Sequence, residues 1–413
     1  MQGNNNKPRV TRRTVLKTGA GSALGGVIAP PVWGKELPIE TETRNVYELL
    51  GVKSLINAAG TITTLGGSIM PAEVVAAWTA ASQSFVDLVE LQDRVGEKIA
   101  DLLGVEGALV TTGAAGAIVV GTAAAVTHRD PALIPRLPLP PEMGVEVICQ
   151  KAHRACYDQQ VAATGVKIVE VETLADLESA IHERTAMMMA YSLFVPAGKI
   201  GQQQWLEVAR RRGVPTLMDA AADTPPVDTL SSFNRMGYDM VAFSGGKALL
   251  GPQDAGLLLG RKDLIEAAKL NTSPHCPTVG RGLKVSKEDM VAMWAAVERF
   301  VHLDHEAEVR EWERRIGVIE NALEGIPTVT TKRIVPPIAN RVPHVLIFWD
   351  EKNLRITRDQ VTEALRQGDP SIRLARVHGT GDQGLLVSVF MLQEGEDKIV
   401  ASRLREVLEI HSK

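Results

Sequence analysis

The sequence predicts an α/β protein: a mostly parallel sheet with helices on both faces, followed by a smaller C-terminal α+β unit. Two observations carry the prediction. Short β-rich apolar runs alternate with helical patterns between about residues 108 and 260, the order that a sheet covered on both faces requires. The chain of 413 residues is 45% hydrophobic and 23% charged, enough apolar material for a sizeable core. This composition excludes intrinsic disorder, collagen-like sequence and a disulfide scaffold. Only three cysteines occur, Cys149, Cys156 and Cys276, without a CxxC pair or a Cys/His cluster, so no metal site is expected.

Residues 1–34 hold five cations (Lys7, Arg9, Arg12, Arg13, Lys17) and no acid, so the net charge of −4 for the whole chain becomes −9 over the remainder. An acidic body is a poor nucleic-acid binder, because neutralising phosphates needs a basic surface. The basic head TRRTVLK and the apolar small-residue run 19–31 are similar to a twin-arginine export signal. That run is too short to anchor the chain across a bilayer. The expectation is therefore a signal peptide over 1–34 read by the twin-arginine export machinery, and a periplasmic or exported protein. If that reading fails, the location is cytoplasmic.

An N-terminal arm is expected over 35–70, a large domain over 71–300 and a small domain over 301–413. Strands are expected at 108–111, 146–149, 167–171, 186–191, 216–219, 240–244 and 256–259, with helices at 114–126, 157–163, 176–181 and 204–212. The helix at 114–126 is rich in Ala, and small enough to lie flat on a sheet. The proline-rich stretch 131–141 (PALIPRLPLPP) reads as a surface loop. From residue 285 one long charged helix runs to about 324. Strands at 328–331, 345–349, 373–377 and 385–390 follow, with helices between and after.

Three features fall at the ends of expected strands, where open α/β sheets bind ligands. Thr112-Gly113-Ala114 joins a strand to a helix whose N-terminus offers free N–H groups to a phosphate. Asp219 ends one strand, and Lys247 follows another in Ser244-Gly245-Gly246-Lys247. A lysine amine and a carboxylate so placed are what pyridoxal 5′-phosphate (PLP) needs. The amine forms an imine with the aldehyde, and the carboxylate keeps the pyridine nitrogen protonated so that the ring accepts electrons from Cα. Gly245 and Gly246 leave room for a flat ring, and Ser244 offers its hydroxyl to the cofactor phosphate. His153, just after the 146–149 strand, reads as an imidazole stacked on the ring.

Together these residues resemble fold-type I PLP-dependent enzymes, and specifically the selenocysteine-synthase-like family. The stretches that carry the resemblance are INAAGTITTLGG (56–67), VTTGAAGA (110–117), KAHRACYDQQV (151–161), MDAAAD (218–223), FSGGKALLGPQDAGLLLGRKDLI (243–265) and VGRGLKVSKED (279–289). The family includes seryl-tRNA selenium transferase and D-glucosaminate-type ammonia-lyases, and the lyase branch looks closer. The resemblance implies Lys247 as the Schiff-base lysine, Asp219 as the pyridinium partner and His153 as the stacking residue. Thr112, Gly113, Ala114 and Ser244 would hold the phosphate. Asn57 and Arg281 would face the substrate, with Arg376, preferred to Arg373 in PSIRLARVHG (370–379), as the C-terminal arginine on that side, and assembly as a homodimer or larger is implied.

The expected function is that of a PLP-dependent lyase catalysing α,β-elimination on a small amino acid or amino-sugar acid, with no nucleic-acid partner. Seryl-tRNA selenium transfer is the runner-up, opposed by the acidic charge and the export signal. Racemases and aminotransferases share the Cα step. A PLP-fold protein that has lost catalysis is a further alternative, opposed by the presence of Lys247, Asp219 and His153 together.

Overall fold

The computed structural model describes residues 46–375 and 384–410. The segment with Arg12 and Arg13, and Arg376 in the C-terminal part, lie outside the described residues. Ahead of residue 55 the described chain holds a helical turn, Val46–Leu49, and from Leu55 a second compact unit begins. No helix among the described residues is long and apolar enough to cross a membrane.

The strands of this second unit are β1 (Leu55–Ala58), β2 (Gly107–Thr111), β3 (Glu146–Gln150), β4 (Lys167–Val171), β5 (Thr185–Tyr191), β6 (Thr216–Asp219), β7 (Met240–Ser244), β8 (Gly256–Gly260), β9 (Thr330–Ile334), β10 (His344–Phe348), β11 (Ser371–Leu374) and β12 (Leu385–Ser388). Seven of them form one sheet in the order β2-β8-β7-β6-β5-β3-β4. All run parallel except β8, which is antiparallel to both neighbours. Neighbouring side chains along a strand point to opposite faces. Met218, Val241 and Phe243 therefore join one core with Trp205 and Val208, while Leu217, Met240 and Ala242 join the other with the helix Gly113–Thr127. Both faces are buried over the central strands, as their continuous apolar runs imply.

The small residues of Gly113–Thr127 follow from its position. The helix is buried nearly all round, and a Cβ at Gly121 would come within 2.6 Å of Leu217. A third core gathers Trp312, Ile316, Val345, Ile347, Val387 and Leu404 around the antiparallel sheet β12-β10-β9 and the parallel pair β1-β11.

Four expectations need correction. The expected long helix is two, Lys287–His302 and His305–Leu323. Leu303 is extended, and Asp304 caps the second helix by accepting from the Ala307 N–H at 2.9 Å. The proline-rich stretch is not simply a surface loop. Leu137 and Leu139 are buried beside Ala123, because Gly165, at φ +85°, lets the Leu139 backbone approach where a Cβ would clash at 2.2 Å. The strand expected from 328 begins at Thr330, since Thr328 sits in the left-handed region at φ +62°. The strand expected from 373 is β11, and it pairs with β1, a strand that sequence reading did not anticipate. Also unanticipated are the helices Ala72–Ser82 and Leu88–Leu103, the second capped by Asp87 and stopped by Gly104 at φ +65°.

Candidate active site

The carboxyl ends of β2, β3, β5, β6 and β7 lie along one edge of the large sheet, with the amino end of β8 among them. Gly256 on β8 is in register with Thr111 on one side and Ser244 on the other. A side chain there would strike the Gly113 backbone at 2.4 Å. Glycine thus lets the Thr112-Gly113 turn close in beside Ser244. Gly113 itself has φ +63°, a conformation that disfavours any side chain. Thr112 caps the helix without a side-chain hydrogen bond, and its buried Oγ1 has no partner among the described residues. First-turn N–H groups and a free hydroxyl therefore converge beside Ser244, a donor set suited to an oxyanion.

Asp219 ends β6, buried, with its Oδ1 accepting from the Ala221 N–H at 2.9 Å. Burial pushes its carboxyl up to about 6, outweighing that hydrogen bond and the charge of Lys247; the nearby Asp223 pushes it further up. Lys247 lies three residues past β7, in a loop closed by hydrogen bonds from Gly245 N to Ala255 O (2.8 Å), Gly251 N to Gly245 O (2.9 Å) and Leu250 N to Lys247 O (3.0 Å). Its pKa is lowered by burial, against the raising effect of Asp219 and Asp223. The lysine and the aspartate thus share one low-dielectric space, an arrangement that neither strand alone prescribes.

The Lys247 loop is tight enough to require its glycines. A Cβ at Gly246 would come 2.4 Å from the Gln253 Cα, and one at Gly245 would come 2.4 Å from the Met293 sulfur. Gly67, at φ +73°, brings the chain after β1 against the Gly246 carbonyl, and the Gln253 side chain donates to Thr63 O at 3.0 Å. Gly246→Ala is expected to destabilise the fold by about 1–3 kcal/mol, because backbone rather than a flexible side chain must move. Thermal unfolding of the variant, seen as a lowered Tm, checks this.

His153 is buried in the turn after β3. Its Nδ1 accepts from the Tyr191 N–H at 3.4 Å, so the proton of the neutral ring sits on Nε2, which has no partner among the described residues. Burial pulls its pKa down to about 4, which keeps the imidazole uncharged at neutral pH. Gly198 makes room for it, since a Cβ there would lie 2.9 Å from Nε2. Two buried polar atoms without partners, Thr112 Oγ1 and His153 Nε2, together with the Asp219–Lys247 pair, fit a flat ligand that carries an oxyanion, an aldehyde and a ring nitrogen.

The residues expected on the substrate side are not brought together with this group. The Asn57 amide is engaged in its own turn: Oδ1 accepts from Ala59 N (3.0 Å) and Gly60 N (3.2 Å), and Nδ2 donates to Gly60 O (3.0 Å). Arg281 is exposed in a turn closed on Thr278, and no described contact joins it to Asp219 or Lys247. Sequence reading missed Asp223, a buried acid whose Oδ2 accepts from the Ser192 hydroxyl and whose Oδ1 accepts from the Ala339 N–H at 3.2 Å. The spacing of DAAAD placed a second acid near Asp219, but nothing local marked it as buried.

The family model for L-seryl-tRNA selenium transferase (SelA) matches residues 55–313. The chain is 29% identical over 378 residues to D-glucosaminate-6-phosphate ammonia lyase of Salmonella typhimurium (strain 14028s / SGSC 2262), covering 89% of this chain and 99% of that protein. A solved structure of D-glucosaminate-6-phosphate ammonia-lyase superposes with a TM-score of 0.78 at 28% identity, over 90% of this chain and 100% of that one. The 5′-C-glycyluridine monooxygenase-decarboxylase of a Streptomyces species is 28% identical, over 88% of this chain and 92% of that protein. Serine palmitoyltransferase from S. paucimobilis, solved with PLP bound, shares the fold at a TM-score of 0.54 and 14% identity, over 87% of this chain and 89% of that one.

Proposed function

Because the chain belongs to the L-seryl-tRNA selenium transferase family, we propose that it is a PLP-dependent lyase of the ammonia-lyase type: α,β-elimination expels a β-substituent from an amino acid or amino-sugar acid, and the enamine that results hydrolyses to a keto acid and ammonia. The observation that carries this reading is the buried pair Asp219 and Lys247, each within the other's electrostatic field at the ends of adjacent strands. The near full-length similarity to D-glucosaminate-6-phosphate ammonia lyase supports elimination over the other outcomes of carbanion chemistry.

PLP, when bound, supplies an aldehyde for the substrate amine and a ring that takes up the electron pair released at Cα. Lys247 holds the cofactor and then acts as base for the Cα proton. Burial favours its neutral amine, the form that a base and a nucleophile need. Asp219 sets its carboxylate against the ring nitrogen, and a cationic partner there offsets the burial that otherwise favours its protonation. His153 offers an uncharged imidazole to the ring. Thr112 Oγ1, the first N–H groups of the helix from Gly113 and the Ser244 hydroxyl would cradle the phosphate.

The test is incubation of purified holoenzyme with D-glucosaminate 6-phosphate, D-glucosaminate, and D- and L-amino acids, measuring keto acid and ammonia. Release of both from one of them is expected. Inversion of configuration at Cα without release of ammonia would instead make the protein a racemase. The exposed apolar run Phe85, Val86 and Val89 supports assembly with a second copy.

Export by the twin-arginine route is proposed as well, on the strength of Arg12, Arg13 and the apolar run behind them. Converting both arginines to lysine is expected to hold the protein in the cytoplasm, as seen by fractionation. Undiminished periplasmic accumulation of the double variant would remove the assignment.

A further inference from the structure

Asp223 is a second buried acid beside Lys247, 5% exposed, with no role in the chemistry above. The backbone carries it there. The Ala220 N–H donates to Ala242 O at 3.0 Å, the Ser244 N–H to Ala221 O at 3.3 Å, and the Asp223 N–H turns back to Ala220 O at 3.1 Å. The loop after β6 thus runs alongside the end of β7, from which the Lys247 loop departs.

Each carboxylate oxygen has one donor. Oδ2 accepts from the hydroxyl of Ser192, just past β5, and Oδ1 from the Ala339 N–H at 3.2 Å, in the connection 335–343 between β9 and β10. There Ala339 and Asn340 occupy the left-handed region, at φ +54° and +45°, and the Asn340 N–H donates to Ala222 O at 2.7 Å. Neither is glycine, so this strained turn persists only where surrounding contacts hold it.

Among the described residues, the cations that act on Asp223 are Lys247 and the exposed Arg341, and the acids that act on Lys247 are Asp219 and Asp223. Asp219 also faces Asp223 and the phenols of Tyr157 and Tyr191. Burial raises the Asp223 pKa, and its two hydrogen bonds and two cations oppose that rise. An asparagine could accept from the Ala339 N–H and donate to Ser192 without the cost of burying a charge. Clamping the turn therefore does not by itself call for an acid here.

We propose that Asp223 is the counter-charge of Lys247, a positioning residue that stabilises the ammonium formed when the amine takes the proton from the substrate Cα. This rests on the PLP reading above, under which Asp219 is committed to the ring nitrogen and Asp223 is the carboxylate left for the ammonium. In that step the Cα–H bond breaks, its electron pair passes to the ring, and the proton goes to Lys247 Nζ. An amine in a dry site holds that proton only while a negative charge stays close. Ser192 and the Ala339 N–H keep the acid ionised and in place.

The test uses wild-type, Asp223→Asn and Asp223→Glu holoenzymes, with the visible cofactor band followed against pH. Removing a negative charge beside a nitrogen that becomes cationic disfavours its protonation. Asp223→Asn is therefore expected to lower the midpoint of the band by roughly 1–3 pH units, with a wild-type circular dichroism spectrum. Asp223→Glu, which keeps the charge, should return most of the way to wild type. Acetic anhydride labelling of the cofactor-free full-length protein, read at Lys247 by peptide mass spectrometry against pH, should show the same downward shift in Asp223→Asn. A midpoint unmoved in Asp223→Asn, whatever its Tm, overturns the proposal, and so does an equal shift in Asp223→Glu. If Asp223→Asn does not fold, Ser192→Ala decides. It leaves the acid but removes a hydrogen bond that favours its ionised form, so the midpoint must fall, and a wild-type midpoint overturns the proposal. A wild type without any cofactor band instead defeats the underlying PLP reading.

Discussion

Lys247→Ala protein purifies without the visible absorbance of a lysine-bound cofactor, and its turnover falls by roughly 10²–10⁴-fold or more. The size of the effect follows from the two tasks that one amine performs. It is the only amine whose charge acts on both Asp219 and Asp223 among the described residues, so no neighbour replaces it as anchor or as base. The substitution leaves the surrounding loop intact, because the hydrogen bonds that close it run between backbone groups from Gly245 to Ala255. A spectrum of the purified variant beside wild type, with circular dichroism to confirm folding, decides the matter. A variant as yellow as wild type removes Lys247 from this role.

Asp219→Asn protein retains cofactor yet loses turnover by roughly 10²–10³-fold, the scale of one preorganised electrostatic group in a dry site. Asparagine keeps the shape and the oxygen that accepts the Ala221 N–H at 2.9 Å, and loses only the charge. Without it, nothing holds the proton on a ring nitrogen, and the electron sink weakens. A second readout separates charge from architecture. In cofactor-free wild type, burial raises the Asp219 pKa from 3.8 to about 6. The native state therefore binds this proton more tightly than the unfolded chain does. The associated stability is fully present below about pH 4 and is lost as pH rises to about 6, on the order of 2–3 kcal/mol. Asp219→Asn should flatten that part of the curve in denaturant titrations. Unaltered turnover, or an unaltered pH slope, would refute the assignment.

The alternation of apolar runs and helices is legible in the sequence, because buried parallel strands must be apolar throughout and the helices over them must be amphipathic or small. The order of the seven-stranded sheet is not, nor is the reversal of β8. Helix ends were less legible than helices. Asp304 interrupts the charged run from residue 287 to 323 by capping, a signal present in the sequence but hidden among the other charges around it. Asp87 and Gly104 bracket Leu88–Leu103 in the same local code, and could have been found by it.

The site shows the same division. The sequence singles out Lys247 by its Gly-Gly turn and Asp219 by its strand end, since both are local chemistry. The resemblance implies Asn57 on the substrate side, whereas the structure engages its amide in an Asx turn. Asp223 and the Ala339–Arg341 turn escaped because their meeting spans 116 residues of chain, and no periodicity encodes such a contact.

What the residues alone determine about this protein is therefore its repeating unit and its reactive groups: which segments are strands, where phosphate-sized turns fall, which amine and which acid can do chemistry. Those properties depend on side chains and spacing within a dozen positions. Only tertiary structure decides which reactive groups share a space. The register of Gly256 with Thr111 and Ser244, the burial that shifts Asp219, Lys247 and His153, and the clamping of a distant strained turn on Asp223 all arise from packing between segments far apart in the chain. The reason is physical: dielectric environment and hydrogen-bond partnership belong to places, and a place exists only after the chain has folded.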